Sequence, residues 1–104
     1  MTTDARINLG RDFNFFQKST ITDPTFNSTQ PTFIVTFPVQ GFHIYNEGSG
    51  VVEYSFNGNT VHGELDSTKD SKTIRFENRS CNKVWFRLKS GSSVIVRLDA
   101  WGIR

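Results

Sequence analysis

The chain has 104 residues, ten of them Phe and one Cys, with a formal net charge of +2. That length supports one small domain around a single core. One cysteine excludes an internal disulfide, and a near-neutral charge excludes the electrostatic footprint of a nucleic-acid binder. Three basic side chains stand against four acidic ones in residues 1–50 and nine against six in residues 51–104, so the charges read as solvated surface. Ser, Thr, Asn and Gly are common and no window keeps a helical period, which favours pleated strands joined by turns. No apolar run reaches membrane-spanning length, and the start, MTTDARINLGRDF, lacks a signal-peptide core. Synthesis in a reducing cytoplasm, with no membrane partner, is therefore expected. On that expectation the sequons at Asn27 and Asn78 are chance matches.

Residues 1–31 are polar, broken by Pro24 and Pro31, and read as an N-terminal arm. Ile7 and Leu9 could make a short strand. Phe13, Phe15 and Phe16 are crowded into a segment with few apolar neighbours, and Phe26 stands alone between turn-formers. That is too hydrophobic for a disordered tail. Either the segment folds back as an edge strand and lid, or it reaches to another subunit.

The β-sandwich domain is expected over residues 32–104. Thr32–Phe37 reads as a strand with Phe33, Val35 and Phe37 on one face, and Phe42–Asn46 as a second short strand. Val51–Leu65 reads as a hairpin turned at Asn57-Gly58, the pair that most readily supplies the positive φ angles of a two-residue turn. That turn sets Tyr54 opposite Val61, Glu53 opposite His62 and Val52 opposite Gly63. Val52, Tyr54, Phe56 and Val61 then share the dry face, with Leu65 as a candidate fifth.

Thr73–Asn78 alternates with Ile74 and Phe76 inward. Lys83–Leu88 sets Val84, Phe86 and Leu88 against Trp85 and Arg87. Val94–Trp101 sets Val94, Val96, Leu98 and Ala100 against Ile95, Arg97, Asp99 and Trp101. Matching their apolar faces pairs the last two strands as a hairpin, with Trp85 beside Arg97 and Lys83 beside Asp99. The expected fold is all-β: a small antiparallel β-sandwich, jelly-roll-like, of about seven to eight strands with an extended N-terminal arm.

No residue pattern carries catalysis. His43, His62 and Cys81 have no ligand spacing. No serine sits in a nucleophile elbow, Glu53 and Glu64 read as a surface pair without a cleft, and the glycines at 48 and 50 read as a turn. No enzyme activity, metal or cofactor is expected. The conspicuous feature is apolar residues at outward positions: Trp85, Ile95 and Trp101. Such a cluster is usually covered, here by the chain's own arm, by a neighbouring subunit or by a stacked sugar.

The runs VEYSFNGNTVHGEL, TIRFENR and KVWFRLKSGSSVIVRLDAW (within residues 52–101) resemble small structural proteins of tailed bacteriophages and prophages. The resemblance covers about half the chain, in strands and turns, and leaves the N-terminal third unmatched. It implies a non-enzymatic virion protein, homo-oligomeric and attached to a capsid, neck or tail protein, with head decoration as the first expectation for its place. The interface would be built from Phe13, Phe15, Phe16, Phe26, Trp85, Ile95, Arg97 and Trp101. The alternative is a carbohydrate-binding module for host adsorption, with a glycan stacked on Trp85, Trp101 and Tyr45.

Overall fold

The computed structural model describes residues 14–77 and 81–102. Eight strands fill them: β1 (Asn14–Ile21), β2 (Phe33–Ile34), β3 (Gly41–Asn46), β4 (Val51–Ser55), β5 (Gly63–Asp66), β6 (Thr73–Phe76), β7 (Lys83–Ser90) and β8 (Val94–Trp101), with one 3-10 turn at Asp70–Lys72. They form two antiparallel four-stranded sheets, ordered β1-β8-β3-β6 and β2-β7-β4-β5. The pairs nest as 1 with 8, 2 with 7, 3 with 6 and 4 with 5, so only β4–β5 is a hairpin within one sheet. Every other connection crosses between the sheets.

The core lies where the alternating patterns of the two sheets meet. Phe42, Ile44, Val94, Val96, Leu98 and Ala100 close it from one sheet, and Phe33, Val52, Tyr54, Leu65, Val84 and Phe86 from the other; all are buried. Phe42, Tyr54, Phe56, Phe76 and Phe86 pack as a chain of aromatic contacts with ring centres 4.8–6.4 Å apart, a spacing that adds directional attraction to area burial. Buried Asn46 ties the sheets together at one end. Its amide nitrogen donates to the carbonyls of Gly50 and Leu65, 3.0 Å each, and its oxygen accepts from the Gly48 N–H.

Two expectations are corrected. The central hairpin pairs Val52 with Leu65, Glu53 with Glu64 and Tyr54 with Gly63, two residues away from the register of an Asn57-Gly58 turn. The cause is Tyr54, whose ring lies where a side chain on Gly63 would stand. The longer loop is then satisfied by side chains: Ser55 Oγ accepts from the N–H groups of Asn57 and Gly58, and Asn57 Oδ1 from those of Asn59 and Thr60. Leu65 takes the buried place on the dry face, while Val61 is exposed. Glu53 pairs with Arg87 at 2.7 Å instead of His62, and His62 accepts the Phe56 N–H.

The closing hairpin does not form. β7 lies between β2 and β4, β8 lies between β1 and β3, and the chain crosses from one sheet to the other at 91–93. Their apolar sides face each other across the core, so the pairings of Trp85 with Arg97 and Lys83 with Asp99 are absent.

From residue 14 on, the N-terminal segment takes the fold-back alternative. β1 is the edge strand of its sheet, matched to β8 from Asn14 opposite Trp101 to Ile21 opposite Val94. The segment from Asp23 to Val35 then runs along the outer side of β7, where Asp23 O accepts from the Leu88 N–H and Thr32 Oγ1 from the Phe86 N–H. Residues 14–31 thus belong to the sandwich, while Phe13, Ile7 and Leu9 lie outside the described residues.

Candidate interaction surface

The outer face of the β1-β8-β3-β6 sheet gathers Phe16, Ile95, Arg97 and Trp101 from the expected set. Strand alternation puts them there, and the registers of β1, β3 and β6 bring in three residues the sequence did not join to them: His43, Tyr45 and Arg75. One row across the sheet reads Phe16, Asp99, His43, Arg75; the next reads Lys18, Arg97, Tyr45, Thr73.

Arginines organise this face. The Arg97 guanidinium carbon lies 3.7 Å from the Tyr45 ring centre and 5.5 Å from that of Phe16. Its terminal nitrogens donate to Glu47 at 2.9 Å and Asp99 at 3.2 Å, and Lys18 joins Glu47 at 3.1 Å. The Trp101 indole lies on Gly41, the one position on β3 where a Cβ would strike it, and Arg75 stacks over it at 4.6 Å. His43 bridges Tyr45 and Thr73: its Nδ1 shares a 2.7 Å hydrogen bond with the Tyr45 hydroxyl, and its Nε2 a short one with Thr73 Oγ1. Burial first, and then the Arg75 charge, push the His43 imidazole below its ordinary value; Asp99 opposes them. Arg97 Nε and Asp99 Oδ1 are buried without hydrogen-bond partners among the described residues.

Two apolar side chains remain open on this face. Phe16 is 63% exposed and Ile95 43%. Phe15, one residue before Phe16, points the other way and packs half-buried on the core opposite Ala100. A shallow groove at the Asn14–Trp101 end of the β1–β8 pair is lined by Asn14, Phe15, Phe16, Asp99, Ala100 and Trp101.

Phe26 and Trp85 sit on the other side of the sandwich. The Trp85 indole N–H donates to Asn27 O at 3.1 Å, and a Cβ on Gly58 would come within 3.0 Å of its ring. Phe26 lies under the Arg87 guanidinium at 4.6 Å. The chain itself covers these two. Trp85 and Trp101 thus face opposite ways, so they share no platform with Tyr45, and the Tyr45 and Trp101 rings already carry guanidinium groups.

The described residues hold no group of three His, Cys, Asp or Glu side chains able to bind a metal ion, and no helix among them is long and apolar enough to cross a membrane. What the surface offers is an all-β scaffold with one face of paired charges and two exposed apolar side chains. Comparison with family models, with curated proteins and with solved structures finds no match for the chain.

Proposed function

We propose that this protein is a non-enzymatic structural subunit of a tailed-phage particle, homo-oligomeric and attached to the virion, with the head surface as its first place and the neck, collar or tail next. We read the nested strand pairing as that of a jelly roll, an architecture that viral capsid domains use among others. Fold alone does not fix function. The observation that carries the reading is the exposed pair Phe16 and Ile95 on the outer face of the β1-β8-β3-β6 sheet. Exposed apolar side chains set in a rim of charges suit protein–protein contact. Fully burying one Phe contributes roughly 1.5–3 kcal/mol, and many copies on one particle multiply a modest contact through avidity. The contact would be a docking surface with the capsid, neck or tail protein.

Particles purified on a density gradient from the phage or lysogen carrying this gene test the proposal. The protein is expected to band with them, in a copy number that follows the symmetry of the structure it decorates. Its absence from intact particles would sink the reading. A glycan array tests the carbohydrate alternative, which needs an aromatic ring free of its stacked arginine.

A further inference from the structure

We infer that the cavity where the ends of β3 and β5 meet the start of β6 binds a small hydroxylated oxyanion, a sugar acid or a sugar phosphate, through Lys72, Thr73 and Ser67. The inference goes beyond the assembly reading above and holds or fails without it. The cavity measures about 620 Å³ and lies against Tyr45, Glu47, Ser67, Lys72 and Thr73, a size that suits a small molecule. Asn46 and Gly48 complete its wall. No aliphatic side chain lines it, and the Tyr45 ring already carries Arg97 and contacts His43. A ligand with a hydroxylated body fits such a wall better than an apolar one.

The side-chain hydrogen-bonding capacity left at the cavity is chiefly that of donors. Asn46 uses its amide on Gly50, Leu65 and the Gly48 N–H. Both Glu47 oxygens are taken, one by Lys18 and one by Arg97. Among the described residues every Lys and Arg side chain sits in an ion pair except Lys72 and Lys83, and Lys83 lies on β7 in the other sheet. Lys72 therefore brings a free ammonium to the cavity. Ser67 Oγ accepts the Gly50 N–H at 2.9 Å and keeps its own proton to donate. Thr73 does the same through a relay. The Tyr45 phenol is a stronger donor than an aliphatic hydroxyl, so it gives its proton to His43 Nδ1. The neutral imidazole then carries its hydrogen on Nε2 and donates it to Thr73 Oγ1, which leaves the Thr73 proton for a ligand. An ammonium and two hydroxyl donors, beside a carboxylate that is already paired, suit a carboxylate or phosphate oxygen, because hydrogen bonds to an ionised acceptor are the strong ones.

The test is a titration of the isotope-labelled full chain with glucuronate, glucose 6-phosphate and neutral glucose, followed through its amide NMR signals. An anion is expected to give saturable shifts at residues 46–48, 67, 72 and 73 with a dissociation constant of about 1–10 mM, and glucose is not. Saturation by both anions, or by one alone, supports the site, and the second case names the carboxylate or the phosphate as the group recognised. Lys72 is exposed, so Lys72→Gln should leave the spectrum elsewhere unchanged while raising the dissociation constant about tenfold. Lys83→Gln, which removes the other unpaired lysine, should not change it. Thr73→Val should weaken binding and Thr73→Ser restore it. No saturation by either anion below about 100 mM, or equal binding of glucose, overturns the inference. So do equal losses from Lys72→Gln and Lys83→Gln, and so does a Lys72→Gln or Thr73→Val protein that binds like the wild type.

Discussion

The two outer faces of the sandwich treat aromatic side chains differently. On the β2-β7-β4-β5 side the chain covers itself, with Asn27 on the Trp85 N–H, Gly58 against its ring and Phe26 under Arg87. On the β1-β8-β3-β6 side the cover is cationic: Arg75 on Trp101 and Arg97 on Tyr45, with Phe16 at the margin of Arg97 and largely exposed. An outward aromatic is therefore not by itself an interface. Trp85 belongs to the intramolecular structure, and the open surface is the arginine side.

The largest expected effect tests the self-covered face. Trp85→Ala should cost about 2–4 kcal/mol in urea unfolding, near the low end for a large aromatic because the ring is half-buried. It should also release amide protection in residues 23–32, read by hydrogen exchange. A loss below about 1 kcal/mol with protection intact would show that the strap holds without its tryptophan. On the other face, Gly41→Ala should cost about 1–3 kcal/mol. Its Cβ would meet Trp101 at 2.6 Å and the Phe76 carbonyl at 2.7 Å; the indole can swing away, but the backbone oxygen has little room. A red shift in tryptophan emission should accompany the loss.

Much of the fold was legible because burial alternates with period two. The inward sides of β3, β7 and β8 follow directly from their residues. Neighbours were not legible. β7 and β8 present matching apolar faces, and that match fits strands lying side by side as well as strands facing each other across a core. The apparent agreement of Trp85 with Arg97 and Lys83 with Asp99 came from the same ambiguity. The hairpin register failed for a different reason: the turn propensity of Asn57-Gly58 lost to the fit of Tyr54 over Gly63, a tertiary contact with no local signature. The interaction surface inherited the first error. With β8 assigned to β7, His43, Tyr45 and Arg75 had no reason to join Arg97 and Trp101, and the N-terminal segment stayed open between a folded-back edge strand and an arm to another subunit because the partner of β1 is the last strand of the chain.

The arginine face should also respond to pH. His43 is surrounded by Tyr45, Thr73, Arg75, Asp99 and Arg97, and its folded value lies below the ordinary 6.5. A base harder to protonate when folded favours the unfolded chain once protons bind. Its contribution is thus fully present above pH 6.5 and declines as pH falls from there toward the folded value. Stability measured from about pH 8 down to about pH 5 should drop in the wild type and drop less in His43→Gln. Equal slopes would remove His43 from the cause and leave the carboxylates.

The smallest effect on folding separates the faces most sharply. Phe16→Ser should change stability by no more than about 0.5 kcal/mol, since the ring is mostly in water and surface substitutions away from structural features fall in that range. Phe15, its neighbour in sequence, packs on the core and is not expected to be so tolerant. A protein that melts like the wild type but loses self-association would assign the work of Phe16 to contact between chains. A substantial fall in stability would instead mean that the Arg97–Phe16 contact supports the sheet from within, and the arginine side would then be as self-contained as the tryptophan-bearing face opposite.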